Sequence, residues 1–158
     1  MGSMKLENVV RLILTRENNG SRDVLLGKRS LTKRYPGLWE YPGGKVDPGE
    51  DLLTAATRES QEEIGTEQET GSKIFIQYPP IAVQIERSQE YDKEYMVAYF
   101  LATTSDKCNP QLKEPTKTSE WKWFDVNKLP KPEEMMSSQS PMQMNFRRTT
   151  DKIIGPYF

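Results

Sequence analysis

Gly43-Gly44-Lys45-Val46-Asp47-Pro48-Gly49-Glu50, running on into residues 51–65 (DLLTAATRESQEEIG), decides how this chain is read. The stretch opens as a glycine-rich loop and continues as a helix over residues 51–64. Leu52, Leu53, Ala55, Ala56 and Ile64 supply its apolar stripe, and Gly65 is suited to stop it. Arg58, Glu59, Glu62 and Glu63 are spaced so that Glu59 shares a helical face with both Glu62 and Glu63. Three carboxylates on one face repel unless positive charge lies between them, and a hard divalent cation is the natural occupant. An acidic helix face by itself is usually solvated surface. The glycine loop, Glu50 and Arg58 at fixed offsets set this one apart.

Composition narrows the chemistry. The 158 residues are enough for one domain with a real core, and 35% of them are hydrophobic. No apolar run approaches the ~18 residues of a membrane span. Net charge is −1, which gives no basic excess for nucleic-acid binding. Histidine is absent, which removes Ser-His-Asp triads, Cys-His dyads and HExxH zinc sites. The single cysteine, Cys108, excludes an internal disulfide and a multi-cysteine metal site. Catalysis is left to carboxylates, Lys, Arg, Tyr and an oxygen-bound metal. Met1-Gly2-Ser3 reads as a cloning remnant ahead of a single domain over residues 4–158, and no signal-peptide core follows. The expected location is cytoplasmic.

Around the loop-helix lies strand material. Residues 6–14, with Val9, Val10, Leu12, Ile13 and Leu14, predict a buried strand. Arg16-Glu17-Asn18-Asn19-Gly20-Ser21 reads as a turn, its Asn-Gly predicting a hairpin into Val24-Leu25-Leu26. Leu38-Trp39-Glu40-Tyr41 is a short strand leading into the glycines, after a basic loop over 31–37. Residues 66–72 read as loop. Strands are expected at 74–76, 81–85, 95–101 and 121–124, with a charged hairpin over 86–94 and a polar loop over 103–120. Residues 130–141 read as a linker or flap, followed by a helix from Pro141 with Ser140 as its N-cap. The pattern predicts an α+β or layered α/β/α domain.

Written out, Gly44, five residues, Glu50, seven residues, Arg58-Glu59, two residues, Glu62-Glu63, one residue, Gly65 resembles the signature box of the Nudix hydrolases at all seven fixed positions. Ser60 and Thr66 stand where that family usually has bulky aliphatics. The resemblance implies an α/β/α sandwich with a mixed curved sheet, the loop-helix and a C-terminal helix. It implies Mg²⁺, or Mn²⁺ in its place, held by Glu59, Glu62, Glu63 and the Gly44 carbonyl. Arg58 would pair with Glu50 and orient the catalytic carboxylates Glu62 and Glu63. The general base is either a box glutamate or a carboxylate outside the box, where Glu90, Asp92 and Glu94 are candidates. A box glutamate is favoured, with Glu94 as reserve ligand or base.

Leu25-Leu26-Gly27-Lys28-Arg29-Ser30, Gly37-Leu38-Trp39-Glu40-Tyr41-Pro42 and Trp121-Lys122-Trp123-Phe124-Asp125 are similar to the MutT-type branch. That branch hydrolyses (d)NTPs and often oxidised purine nucleotides such as 8-oxo-dGTP, sanitising the nucleotide pool. Arg29, Arg34 and Lys45 are suited to a triphosphate tail. Trp39 could stack on a base, and Glu40 could accept from a guanine edge. ADP-ribose, a dinucleoside polyphosphate, a prenyl diphosphate and an RNA 5′ end remain alternative substrates, as does a binding module without turnover. The expected partner is a nucleotide or other small diphosphate, with no membrane or nucleic acid, on a monomer or homodimer.

Overall fold

The computed structural model describes residues 6–88 and 93–136. Eight strands form one mixed sheet: β1 (Leu6–Asn18), β2 (Ser21–Arg29), β3 (Trp39–Glu40), β4 (Gly43–Lys45), β5 (Phe75–Ile76), β6 (Ala82–Ser88), β7 (Lys93–Thr104) and β8 (Thr118–Asp125). Among the described residues two helices accompany it, α1 (Leu52–Glu63) and the four-residue α2 (Glu67–Thr70), with a 3-10 turn at Pro132–Glu134.

β1 is the spine. It pairs in parallel with β7 along nearly its whole length, from Leu6↔Glu94 to Arg16↔Thr104. Its other edge is therefore shared: residues 9–11 pair with β4, and residues 15–18 pair with β2. The hairpin into β2 turns at Asn19 (φ 51) and Gly20 (φ 80), the two positive angles that Asn-Gly supplies with least strain. β2 in turn pairs with β3 and with β8, and β7 carries β5 and β6 on its far side.

A strand central to a sheet covered on both faces must bury both of its side-chain rows. Alternate residues of β1 do this. Val9 and Ile13 join Val24, Leu26, Tyr41, Val97, Tyr99, Leu101 and Met135 on one face. Val10 meets Ala55, Ala56, Ala98 and Phe100 on the other, and Leu12 and Leu14 continue that layer with Leu25 and Ile64. Truncating Leu12 or Leu14 to alanine would cost about 2–5 kcal/mol. Ala55 and Ala56 let α1 lie close on the sheet. Asp51 caps the helix by accepting from the Thr54 amide at 2.8 Å, and the chain leaves it through Gly65 at φ 129.

Several boundaries differ from the sequence expectations. Residues 43–45 form β4, because the two glycines sit against β1 with their backbone paired to Val10 and Arg11. Residues 66–72 contain α2, with Thr66 and Glu69 as a reciprocal capping box. The Thr66 hydroxyl is thus a cap, where the family resemblance leads one to expect packing. β6 and β7 extend into the charged span expected to be loop, and β8 begins at Thr118. In the expected flap, Met135 is a core residue and bridges Trp39. The expected C-terminal helix, and Glu90 and Asp92, lie outside the described residues.

Candidate active site

α1 lies on one face of the sheet, and a cleft of about 600 Å³ lies on the other, beside the edge strand β4. The helix reaches the cleft past the β4 glycines. A Cβ on Gly44 would lie 2.5 Å from Glu59 Oε1, so only glycine leaves room for that carboxylate. Glu59 and Glu63 are buried, whereas the Glu62 side chain is half exposed; Glu59 and Glu62 line the cleft.

Arg58 organises the acidic face. It makes a bidentate pair with Glu50, at 2.8 Å from Nε and 2.9 Å from Nη2, and donates to the Lys45 carbonyl at 3.0 Å. Its Nη1 donates to Glu59 at 3.0 Å and to Glu62 at 3.1 Å. Arg58 thereby holds the Glu50 carboxyl at a pKa of about 2, and Glu50, with Glu59, raises that of the guanidinium. Glu63 turns inward. Its Oε2 accepts from the Gly43 amide at 3.0 Å, and its Oε1 pairs with Lys117, whose Nζ also donates to the Gly43 carbonyl at 2.7 Å.

Among the described residues no three carboxylates converge as a ready-made ligand group, because Arg58 and Lys117 lie between them. The donor set still fits a hard cation: Glu59, Glu62 and Gly43 line the cleft, Glu63 stands behind them on the Gly43 amide and Lys117, and all offer oxygen. The carbonyl that meets Glu63's partner is that of Gly43, one residue before the glycine expected from the box.

The other expected residues divide. Arg29, Arg34, Glu40 and Lys45 line the cleft. Glu40 is 7% exposed and engaged by Arg29 Nη1 at 3.1 Å, with Arg11 at 3.6 Å, so its role here is to hold two arginines. Arg29 also fixes the basic loop by donating to the Arg34 carbonyl at 2.7 Å. Lys45 pairs with Glu7 at 3.1 Å. Trp39 packs edge-on against Phe124, ring centroids 4.9 Å apart, and is not among the cleft-lining residues. Glu94 pairs with Leu6 and Arg87 in the sheet and does not line the cleft. Cys108 is buried, which pushes its thiol pKa up, away from thiolate chemistry.

Four charged cleft residues escaped the sequence reading: Arg11, Glu86, Glu114 and Lys117. Arg11 interrupts the apolar run of β1, the one signal that could have found it. Burial works against its charge, but Glu40, then Tyr99 and Glu86, more than restore it. Its Nη1 donates to the Tyr41 carbonyl at 2.8 Å. Glu86 accepts from the Tyr99 hydroxyl at 2.7 Å, and the two lie with Arg11 and Met136 around a deep recess of about 60 Å³. Burial, then Glu59 and Glu62, raise the pKa of Glu114. Burial, then Arg11, lowers that of Lys117 to about 8.

The chain has similarity to several known proteins. A CTP pyrophosphohydrolase of Escherichia coli (strain K12) is 38% identical over 71 residues, 45% of this chain and 50% of that protein. A putative 8-oxo-dGTP diphosphatase of Bacillus subtilis (strain 168) is 33% identical over 112 residues, 71% of this chain and 64% of that one. The chain thus spans between half and two thirds of the length of these two relatives. An RNA pyrophosphohydrolase of Erythrobacter litoralis is 29% identical over 118 residues, 68% of this chain and 71% of that protein. Among solved structures, a C. elegans Ap4A hydrolase binary complex superposes with a TM-score of 0.63 at 28% identity, covering 77% of this chain and 81% of that one. The NUDIX domain model matches residues 5–146, the whole of the sheet, the loop-helix and the cleft, and the chain belongs to that family.

Proposed function

We propose that this chain hydrolyses a nucleoside triphosphate, with deoxynucleotides and oxidised purines such as 8-oxo-dGTP among its substrates, to the monophosphate and pyrophosphate. One observation carries the reading: a single cleft of nucleotide size is lined both by the carboxylates of the Nudix helix and by a row of cations, Arg29, Lys33, Arg34, Lys45 and Lys117. Acidic side chains suit a metal, cations suit phosphate oxygens, and a diphosphate between them satisfies both.

The Gly43 carbonyl, Glu59, Glu62 and Glu63 would hold Mg²⁺ or Mn²⁺, which supplies positive charge to the diphosphate and lowers the pKa of water. Arg58 keeps Glu59 and Glu62 in place. Arg29 and Arg34, tied to one another, orient the phosphate chain, arginine being suited to two-point contact with its oxygens. Glu62 is the box carboxylate with room to accept a proton from the attacking water. Glu114 is a second candidate, from outside the box, and its raised pKa suits it to that role. The base would lie on Val9 and Val97, with its polar edge toward Arg11 and Glu86. That pair of donor and acceptor matches the guanine edge, which offers an acceptor beside donors.

The test is a side-by-side panel with Mg²⁺: dNTPs, 8-oxo-dGTP, CTP, ADP-ribose, diadenosine polyphosphates, prenyl diphosphates and a 5′-triphosphorylated oligonucleotide. Purine triphosphates should be favoured, with pyrophosphate released, and Glu62→Gln or Glu63→Gln should lower turnover by at least ~10² without unfolding the domain. Preference for the oligonucleotide or for ADP-ribose would replace this reading. Unaffected turnover in both variants would remove the helix from the chemistry.

A further inference from the structure

Lys117 stands among the oxygens assigned above to a divalent cation. Its ammonium donates to the Gly43 carbonyl at 2.7 Å and pairs with Glu63, while the other Glu63 oxygen accepts the Gly43 amide. The placement is built rather than incidental. The Lys117 amide donates to the Glu114 carbonyl at 2.9 Å, and the Ser30 amide donates to the Lys117 carbonyl at 3.0 Å, which pins the loop ahead of β8 to the end of β2. The side chain is only 24% exposed; burial, then Arg11 and Lys33, work against its charge, while Glu59 and Glu40 favour it. A buried ammonium is held best by oxygens in direct contact with it. Gly43 and Glu63 are those oxygens.

We propose that Lys117 is an internal counter-cation: it pairs with the Gly43 and Glu63 oxygens and exchanges that place for the substrate's phosphates when a divalent ion takes those oxygens. The proposal rests on the divalent-cation reading of the same oxygens. Mg²⁺ sits about 2.0–2.1 Å from its ligands, so it and an ammonium cannot share one pair of lone pairs. Lys117 already lines the cleft, so a phosphate bound there gives its charge a new partner. The ion by itself must displace the lysine; the ion arriving with a diphosphate relocates it at little cost. Lys117 is thus a positioning residue that couples metal affinity to phosphate binding.

Binding of Mn²⁺, followed by the electron-spin resonance of the free ion, tests this with the wild type, Lys117→Met and Lys117→Gln, first without ligand and then with imidodiphosphate. Lys117→Met is expected to bind Mn²⁺ by itself on the order of tenfold more tightly than the wild type, and the gain on adding imidodiphosphate should shrink by a similar factor. A variant with equal or weaker affinity for Mn²⁺ overturns the exchange while leaving the cation site standing. A wild type that takes up no Mn²⁺, with or without imidodiphosphate, overturns the cation site and the exchange together. Should neither variant fold, ¹⁵N-lysine spectra of the wild type decide. The slowly exchanging ammonium signal of the buried pair should move to the exposed-lysine position at saturating Mg²⁺, and a signal that stays overturns the exchange.

Discussion

Gly44→Ala isolates the geometry of the candidate site from the stability of the fold. The added Cβ would meet Glu59 Oε1 at 2.5 Å and both Cδ and Oε2 at 2.6 Å. Carbon and carboxylate oxygen need about 3.4 Å, so the carboxylate must withdraw by roughly 0.9 Å. The backbone at Gly44 has no positive φ, so the substitution itself adds no torsional strain. Withdrawal strains the 3.0 Å bond from Arg58 Nη1, while the guanidinium keeps Glu50 and Glu62. Loss of one charge-assisted hydrogen bond costs about 2 kcal/mol, or about 6 °C in Tm for a chain of this size. The effect on turnover should be larger, because a displacement near 1 Å at reacting groups costs about 100-fold. Steady-state pyrophosphate release, read beside the thermal midpoint, measures both. Gly49→Ala is the control: Gly49 has φ 78 with nothing within 4 Å of a Cβ, so it should lose about 1 kcal/mol from backbone strain and keep its turnover. A folded Gly44→Ala protein with turnover within threefold of wild type would refute the placement of Glu59 at the reacting centre.

Further outcomes follow from the same geometry. The Glu50 carboxyl titrates at about 2 in the folded protein against an ordinary 4.5, chiefly through Arg58 and then the Asp47 amide. A lowered folded pKa means that the unfolded chain binds more protons between those values, so stability should fall as pH drops from about 4.5 through about 2. Urea midpoints for Glu50→Gln should fall less steeply across that window than those of the wild type; parallel slopes would contradict the pairing. Arg11→Met and Glu86→Gln should each weaken binding of a purine monophosphate by on the order of tenfold relative to a pyrimidine one, by calorimetry. An unchanged base ratio would place the base elsewhere. Gly43→Ala should be far more damaging to the fold than Gly44→Ala, since its Cβ collides with the Val10 carbonyl in β1, and the thermal midpoint reports it.

The parts of the site legible in the sequence are those set by local spacing. Glu59, Glu62 and Glu63 are ordered by helical periodicity, and Asn19-Gly20 turns where the hairpin requires positive φ; Asp51, read as the first helical residue, is instead the cap. What was not legible depends on which strands meet. Arg11 on β1, Glu86 on β6, and Glu114 and Lys117 ahead of β8 are single polar residues without a repeating pattern, and the β1–β7, β6–β7 and β2–β8 pairings bring them to one cleft. Trp39 and Glu40 show the converse. Their chemistry suits a base, but the sheet gives Trp39 to Phe124 and Glu40 to two arginines. The Thr66–Glu69 capping box was within reach of a local reading, and the polar composition of residues 66–72 hid it.

Product analysis of dGTP hydrolysis, by anion-exchange chromatography with Mg²⁺ and again with excess EDTA, tests the central claim most directly. Equimolar monophosphate and pyrophosphate with Mg²⁺, and no turnover with EDTA, is the predicted result. Undiminished turnover in EDTA, or diphosphate with inorganic phosphate as the products, would contradict it.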